Sequence, residues 1–211
     1  EAAKYVDELS PAAQIIGAVN TIVNDDGRLT GYITDGEGFV HNLKDHGVDI
    51  KGKKITVAGG GGAATAIQVQ CALDGAREIT IFNIKDAFFE RTLQTAEKIR
   101  KAVPGIVVNV YDIADTAKMT EEITSSDIFA NATIVGMKPM DDQSVVKDLS
   151  AFRPGLVVCD AVYNPAETKL LREAKEAGCT CIGGKGMLLW QGVAAFRLYT
   201  GMDMPVDEVK E

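Results

Sequence analysis

The sequence lacks long apolar runs and is poor in cysteine and histidine, with four cysteines and two histidines among 211 residues. No run approaches the roughly 20 apolar residues that a membrane-spanning helix needs, and no charged-then-apolar leader opens the chain. The cysteines are scattered except for Cys179 and Cys181, and His41 and His46 complete no zinc-binding spacing. These scarcities argue against a membrane protein and a metal or redox site, and they favour the cytoplasm as the compartment.

Basic residues are also scarce, because 22 lysines and arginines face 30 acidic residues and give a formal net charge of -8. No stripe of lysine and arginine stands out, which argues against binding to nucleic acid. Apolar residues make up 46% of the chain, enough to fill the core of one large or two small domains. We therefore expect an ordinary soluble globular protein.

From residue 39 onward, strand-like runs alternate with helix-like runs. The strand-like runs are KITVAG, EITIFN, IVVNVY, IFANAT, LVVCDA and CTCIGG. The helix-like runs between them include FFERTLQTAEKIRKA and AETKLLREAKEAG, and Gly178 closes the second of these in the C′ position. Such alternation predicts an α/β fold with a doubly wound, mostly parallel sheet and helices on both faces.

The first 38 residues follow a different pattern. The segment EAAKYVDELS has helical spacing of Ala3, Val6 and Leu9, and we expect the Ser10-Pro11 pair to end that helix. Two β-type runs then flank an Asn-Asp-Asp-Gly turn at 24–27, which predicts a hairpin. Because the chain starts without methionine and enters a helical pattern directly, we expect it to be truncated, with 1–38 as the remnant of a first lobe.

Four consecutive glycines join the first predicted strand of the alternating region to its first helix, in the stretch KKITVAGGGGAATAIQ. Amide groups at a helix N-terminus attract anions, and an anion can approach them only where no Cβ intervenes. Gly59, Gly61 and Ala64 fit the G-x-G-x-x-G/A pattern of dinucleotide-binding proteins. The alternative is a tight strand-to-helix connection without a ligand. No Gly-Lys-Ser/Thr follows, so a P-loop hydrolase is disfavoured.

The end of the second predicted strand is where such a fold contacts the adenosine ribose. A carboxylate there accepts hydrogen bonds from the ribose 2′-hydroxyl, whereas an arginine pairs with a 2′-phosphate. The chain offers Asn83, Ile84, Lys85 and Asp86 at this point. Asp86 could bind the ribose or cap the following helix, and the two roles are compatible.

Polar residues that suit chemistry occur near the hairpin and near the C-terminus. Asn20, Thr34 and Asp35 lie at or near the ends of the hairpin strands, where a carboxamide and a carboxylate could hold a polyol and move a proton. The alternative for Thr34, Asp35 and the glycine that follows is a simple turn. Near the C-terminus, GGKGMLLWQG predicts a glycine-rich turn before a helix that carries Gln191, and we expect Trp190 in the core.

Six motifs, in the order GAVNT, TDG, GGGGAATA, NATIVGMKP, DAVYNP and GKGMLLWQG, resemble the shikimate dehydrogenase family, particularly its quinate/shikimate dehydrogenase branch. The similarity covers essentially the whole chain. It implies a two-lobed oxidoreductase that transfers a hydride between NAD(P) and the C3 position of shikimate or quinate, in the pathway to the aromatic amino acids. It also implies a division into 1–38 of a substrate-binding α/β lobe, a Rossmann-like dinucleotide-binding domain over 39–186, and a helical segment over 187–211 that returns to the first lobe.

The same resemblance assigns roles to individual residues. Asp35 matches the aspartate that pairs with a lysine for proton transfer, and Asn20, Thr34 and Gln191 match or adjoin substrate-contacting positions. The cofactor-binding positions that it implies are Gly60, Gly61, Gly62, Ala63, Asn83, Lys85, Asp86, Ala161, Val162, Tyr163, Asn164 and Gly184. The polyol carboxylate is thus the expected partner, and a homodimer is left open.

Three departures from the family pattern matter. The lysine that pairs with Asp35 would lie upstream of Glu1, so we expect the 211 residues to bind dinucleotide but to turn over polyol poorly. Ile33 replaces an asparagine of many relatives and leaves the substrate preference open. Ile84 replaces the arginine of NADP-using relatives and leaves Asp86 beside a single lysine, which favours NAD over NADP. The remaining alternatives are a non-catalytic dinucleotide-binding module and a related polyol or aminoshikimate dehydrogenase.

Overall fold

The computed structural model describes residues 1–87 and 89–209 and contains two sheets flanked by helices. The strands are β1 (Glu8–Leu9), β2 (Thr21–Asp25), β3 (Arg28–Tyr32), β4 (Lys54–Ala58), β5 (Glu78–Asn83), β6 (Val107–Asp112), β7 (Ile128–Asn131), β8 (Val157–Asp160) and β9 (Thr180–Ile182). The α-helices are α1 (Pro11–Ile16), α2 (Asp35–Asp45), α3 (Gly62–Leu73), α4 (Phe89–Ala102), α5 (Thr116–Thr124), α6 (Lys169–Glu176), α7 (Gly184–Thr200) and α8 (Val206–Val209). Phe88, the first residue of the predicted helix FFERTLQTAEKIRKA, lies outside the described residues.

The larger sheet has six parallel strands in the order β6-β5-β4-β7-β8-β9. All five residues of β4 are buried, as expected for a central strand covered on both faces. The strand order reverses between β4 and β7, and ligands of open α/β sheets bind at such a point, beyond the carboxyl ends of the strands. The doubly wound α/β prediction is confirmed.

Alternate residues of these strands face two separate cores. On β7, Ile128 and Ala130 belong to the cluster under α2 and α3, whereas Phe129 belongs to the cluster under α5 and α6. This alternation follows from the two-residue period of a strand. The sheet is therefore held rigidly from both faces, and the loops at its carboxyl edge have a fixed base.

The smaller sheet contains the predicted hairpin, which is confirmed. Strands β2 and β3 pair in antiparallel register around Asp26 and Gly27, which both have positive φ (47° and 95°). Two such residues form the turn whose twist matches that of the flanking strands. The amide of Gly27 also donates to Asn24 Oδ1 over 2.8 Å.

The predicted N-terminal helix is wrong. Only Ala2–Lys4 form a short 3₁₀ turn, and Glu8 and Leu9 instead form β1, which pairs in parallel with β3. The Ser10-Pro11 pair starts a helix and does not end one, because Ser10 Oγ accepts a hydrogen bond from the amide of Ala13 at 3.3 Å. Serine at the N-cap and proline at the first helical position are both favourable for starting a helix.

A buried charge cluster lies at the amino ends of the parallel strands. The Lys54 amine, only 7% exposed, donates to Glu122 Oε2 over 2.7 Å and lies 3.1 Å from Glu78 Oε1. Lys118 contacts the second Glu122 oxygen at 2.9 Å. Burial alone would raise the pKa of Glu122, but its hydrogen bonds to Lys54 and Lys118 outweigh burial and lower it. The cluster is at the end of the sheet opposite the glycine turn.

The predicted domain boundaries both fall inside helices. The boundary between 38 and 39 lies within α2, and that between 186 and 187 lies within α7, while residues 210 and 211 lie outside the described part of the chain. The division into a substrate lobe and a dinucleotide domain stays a prediction. Among the described residues, no helix has the length and apolar character to span a bilayer.

Candidate active site

The glycine turn connects β4 to α3 at the carboxyl edge of the sheet. Gly59 has a φ of 122°, and a Cβ on it would approach the Ala132 carbonyl oxygen to 2.6 Å. A Cβ on Gly60 would approach Asn83 Nδ2 to 2.5 Å. In contrast, Cβ atoms on Gly61 and Gly62 would meet no atom of the described chain within 4 Å. Packing thus requires the first two glycines, and the last two leave an open approach to the helix.

The N-terminus of α3 is suited to an anion. Among the described residues, no side chain caps this helix, whose N-cap residue is Gly61. The first amide groups of a helix have no intrahelical acceptor, and together with the helix dipole they bind phosphate groups. Ala64 is buried beneath the turn, where a larger side chain would push α3 away from β4. The geometry therefore fits a dinucleotide diphosphate.

A cavity of about 550 Å³ opens on one side of the turn, beyond the ends of β4 to β7. Its walls include Gly60, Gly61, Asn83, Ile84 and Val135, and this is the size and apolar character of a pocket for a nucleoside. This cavity connects two groups of predicted cofactor residues, those of the glycine turn and those at the end of β5. Lys85 and Asp86 follow Ile84 on the exposed surface, outside the walls of this cavity.

A second cavity, of about 270 Å³, opens on the other side of the turn. It brings Gly62 together with Gly17, at the end of α1, and with Arg91 and Lys98 of α4. Ala63 is exposed beside it. The two cations add positive potential near the helix N-terminus. Sequence reasoning missed them, although their seven-residue spacing places them on one face of a helix.

The predicted substrate residues converge around Thr34, which is 1% exposed. The Thr34 amide donates to Asn20 Oδ1 at 3.1 Å, and the Thr34 hydroxyl donates to Gln191 Oε1 at 3.3 Å. Asp35 is the first residue of α2, half-buried beside Asn20. Burial raises the pKa of Asp35, and the hydrogen bond from Asn20 opposes part of that rise. The structure therefore groups two carboxamides, a hydroxyl and a carboxylate whose pKa is shifted towards the range useful for proton transfer.

Close packing of α2 against α7 holds this group together. A Cβ on Gly38 would approach both the Gln191 amide nitrogen and the Met187 carbonyl oxygen to 2.6 Å. A Cβ on Gly186 would overlap Asn42 Oδ1. The side-chain amide of Asn42, through Nδ2, donates to the Gly183 carbonyl over 3.1 Å. The glycines allow the two backbones to touch, which fixes Gln191 over the start of α2.

Trp190 does not lie in the core, so that prediction is wrong. The ring is half-buried on the outer side of the α2–α7 contact and stacks on His41 with 5.1 Å between centroids. Its Nε1 donates to Asp45 Oδ2 at 2.8 Å. The indole N–H needs a hydrogen-bond acceptor, and the Asp45 carboxylate of α2 provides it at the surface.

The residues predicted for the nicotinamide end also meet. Ala161, Val162, Tyr163 and Asn164 follow β8, and a Cβ on Gly184 would lie 2.5 Å from the Ala161 carbonyl oxygen. Val162 is buried, whereas Tyr163 is 51% exposed. The start of α7 therefore lies directly against the segment 161–164.

A buried polar network behind this segment was missed by sequence reasoning. Asp160, 2% exposed, accepts hydrogen bonds from Asn131 Nδ2 (3.0 Å), the Val162 amide (3.0 Å) and the Thr168 hydroxyl (2.6 Å). Burial raises the pKa of Asp160 to about 6, although all three hydrogen bonds oppose the rise. One sequence signal could have revealed this network. The neighbouring strands β7 and β8 each end in a polar residue at their carboxyl end, where ligand sites of this fold lie.

The strand order, the open helix N-terminus and the polar group around Thr34 define a Rossmann-type, NAD(P)-dependent oxidoreductase. Comparison with known proteins agrees. A family model for the shikimate 5′-dehydrogenase C-terminal domain matches residues 184–211. A quinate/shikimate dehydrogenase of Escherichia coli O139:H28 is 50% identical over 210 residues, which cover 100% of this chain and 73% of that protein.

Solved structures place the chain in the same group. Shikimate 5-dehydrogenase from Listeria monocytogenes, in complex with shikimate and NAD, has 51% identity and a TM-score of 0.95, covering 98% of this chain and 71% of that one. Shikimate 5-dehydrogenase from Thermus thermophilus, in complex with NADP(H) and shikimate, has 33% identity and a TM-score of 0.79, covering 98% and 71%. The chain belongs to the quinate/shikimate dehydrogenase family, which confirms the resemblance and the NAD(P)-dependent oxidoreductase class.

Proposed function

We propose that this chain supplies the cofactor site and the proton-transferring Asp35 for reversible hydride transfer between NAD and the C3 position of shikimate or quinate, whose oxidised forms carry a ketone there. The reaction also needs the lysine that is expected to pair with Asp35. The observation that carries the proposal is the group formed by Asn20, Thr34, Asp35 and Gln191. A hydrogen bond between Thr34 and Gln191 joins two parts of this group that lie 157 positions apart in the chain. Gln191 lies on α7 about 10 Å from Gly184, at a helical rise of ~1.5 Å per residue. A polyol beside Asp35 is thus within reach of a nicotinamide at residues 161–164.

The chemistry divides between cofactor and protein. NAD supplies the hydride acceptor at its nicotinamide ring when it is bound. Asp35 takes or relays the proton of the C3 hydroxyl, since a hydride can leave the carbinol carbon only as that proton departs. Asn20 and Gln191 hold the other polar groups of the substrate, which fixes the reacting carbon against the nicotinamide. Thr34 is 1% exposed and positions both carboxamides through its hydrogen bonds to them.

For the cofactor, we propose that the glycine turn binds the diphosphate and the end of β5 binds the adenosine. The positions are Gly60, Gly61, Gly62, Ala63, Asn83, Lys85, Asp86, Ala161, Val162, Tyr163, Asn164 and Gly184. The preference for NAD rests on two residues. Ile84, which is 60% exposed, stands where an arginine would be needed to bind the 2′-phosphate of NADP with two hydrogen bonds. Asp86 repels the same phosphate.

Calorimetric titration tests this function. We expect NAD to bind at least about tenfold more tightly than NADP, and Asp86→Ala to weaken NAD while leaving NADP unchanged or stronger. Shikimate or quinate should then bind the NAD-loaded protein. A clear preference for NADP would contradict the cofactor assignment, and failure of both polyols to bind would favour a non-catalytic dinucleotide-binding module. The homodimer stays a prediction, which sedimentation analysis can check.

A further inference from the structure

The Asp160 carboxylate lies where three chain segments meet at the carboxyl edge of the sheet. Asn131 ends β7 and begins the loop that forms one wall of the nucleoside cavity. Val162 belongs to the segment against Gly184, and Thr168 is the N-cap residue of α6. Each segment donates one hydrogen bond to the same carboxylate, at 2.6 to 3.0 Å.

Two of these three segments have other anchors. The loop after β7 is held by bonds from Thr133 to Asn131 Oδ1 (2.7 Å) and from Asn131 Nδ2 to the Val135 carbonyl (3.0 Å). Helix α6 packs its buried Leu170 and Leu171 under the sheet. The segment 161–164 has fewer: the Ala161 amide bonds to the Asn131 carbonyl at 2.8 Å, the Val162 amide bonds to Asp160, and the Val162 side chain is the one that is buried. Loss of the carboxylate would therefore loosen this segment most.

The chemistry of the network supports a role beyond stability. An ionised carboxylate only accepts hydrogen bonds, and here three donors converge on it. Because burial raises the pKa of Asp160 to about 6, keeping it ionised at neutral pH opposes folding. Buried charge that lowers stability, next to a site, is typical of groups retained for function.

We propose that Asp160 is a positioning residue for the nicotinamide end of the cofactor site, acting through the Val162 amide. This inference rests on the function proposed above, because only that function places the segment 161–164 beside the nicotinamide. Asp160 itself is too deeply buried to touch the cofactor or the substrate. It holds the segment 161–164 against Gly184 before the cofactor arrives, which reduces the ordering that binding would otherwise require.

The test separates the two ends of the cofactor by comparing NAD with ADP-ribose, which lacks the nicotinamide. Asp160→Ala should weaken NAD by about tenfold, the effect of one charge-assisted hydrogen bond, and change ADP-ribose affinity by less than about twofold. Asp160→Asn keeps an acceptor oxygen towards Val162 and should restore NAD affinity to within about threefold of wild type. Equal losses for both ligands, or no loss for either, would overturn the proposal.

The control is Thr56→Val, which removes another buried hydrogen bond of the same sheet, the 2.8 Å contact between Thr56 and Ser126. It should leave the ratio of the NAD and ADP-ribose affinities unchanged. If Thr56→Val shifted that ratio as much as Asp160→Ala does, the role of Asp160 would be structural and not specific to the nicotinamide end.

A measurement on the wild type keeps the proposal testable if Asp160→Ala does not fold. The Val162 amide should exchange with solvent deuterium at least about 100-fold more slowly than an unprotected amide, already without cofactor. Protection that appears only with NAD would overturn the proposal. A wild-type protein that binds neither NAD nor ADP-ribose would instead contradict the proposed function.

Discussion

At the scale of single residues, burial shifts the pKa values of Asp35 and Asp160 in the same direction but leaves them different uses. Asp35 is half-buried, with one carboxamide beside it, so its oxygens can still meet a ligand. Asp160 is 2% exposed and its oxygens are occupied by three donors. The first carboxylate can exchange a proton with a substrate, whereas the second can only hold other groups in place.

In an enzyme that also carries the lysine expected to pair with Asp35, Asp35→Asn should leave NAD affinity unchanged and reduce polyol oxidation by about 100-fold or more, since an amide cannot accept the hydroxyl proton. In the wild type, burial raises the pKa of Asp35, so the rate should begin to fall on acidification at a higher pH than an ordinary aspartate would give. Initial rates of NAD reduction at a series of pH values measure both effects. The control Glu37→Gln removes an exposed carboxylate from the same helix turn and should change neither.

The grouping of single residues was predictable where a motif marks them, while their roles stay predictions. Asn20, Asp35 and Gln191 were singled out from their motifs, and the structure brings them together around Thr34. Asp160 ends a predicted strand and begins the DAVYNP motif, but neither pattern indicates its buried network, because a carboxylate after an apolar run carries no local sign of its partners. Those partners come from β7 and α6, which only the folded sheet brings near.

At the scale of elements, the start of α3 separates two kinds of glycine. Gly60 avoids a collision with Asn83, and Gly61 borders open space. The same residue type thus serves packing at one position and ligand access at the next, so the two positions should respond differently to an added methyl group.

Gly61→Ala should reduce the free energy of unfolding by no more than about 1 kcal/mol, the cost of alanine in place of glycine at an N-cap. It should nevertheless weaken NAD by about tenfold or more, because the added Cβ occupies the approach to the helix amides. Gly60→Ala should lose about 1–3 kcal/mol of stability through overpacking. Chemical denaturation and calorimetry measure these changes, and unchanged NAD binding by Gly61→Ala would exclude a diphosphate at the turn.

The contact of α2 with α7 makes a second element-scale prediction. In Gly38→Ala, the new Cβ would lie 2.6 Å from the α7 backbone, so the helices must separate. We expect a loss of about 1–3 kcal/mol in the free energy of unfolding and weaker shikimate binding, because the Thr34–Gln191 bond is lost. Gly192→Ala is the control, since its Cβ would meet no described atom within 4 Å and alanine favours a helix by up to about 1 kcal/mol.

Elements were predicted well where burial is complete. The central strands β4, β5 and β7 consist mostly of buried residues because both their faces are covered, so local sequence identifies them. The N-terminal helix was predicted wrongly because the spacing of Ala3, Val6 and Leu9 suits a helix, whereas pairing of Glu8 and Leu9 with β3 decides the structure. That pairing is a tertiary contact, and such contacts override weak local preference.

At the scale of the whole molecule, the buried charge cluster and the proposed ligand site lie at opposite ends of the sheet. The buried cluster of Lys54, Glu78 and Glu122 lies at the amino ends of the strands, and the glycine turn lies at the carboxyl ends. The strand order and the bond between Thr34 and Gln191 could not be predicted from local periodicity, because they join parts of the chain that are far apart in sequence.

Lys54→Met should therefore reduce the free energy of unfolding by about 3 kcal/mol, because Glu122 would keep a buried charge without its nearest partner. NAD affinity should not change. The control Lys53→Met removes a half-exposed lysine 3.5 Å from Asp127 and should cost less than about 1 kcal/mol. Because the pKa of Glu122 is lowered, its contribution is present above the ordinary glutamate pKa and is lost as the pH falls, which denaturation at several pH values will show.

The overlap of a Gly186 Cβ with Asn42 Oδ1 has an evolutionary consequence. The three atoms nearest to that Cβ all belong to the Asn42 side chain, so a side chain at position 186 requires Asn42 to rotate away or to be replaced by a smaller residue. Where Asn42 is replaced, substitutions at the two positions should occur in pairs among relatives, and their covariation records the contact between α2 and α7.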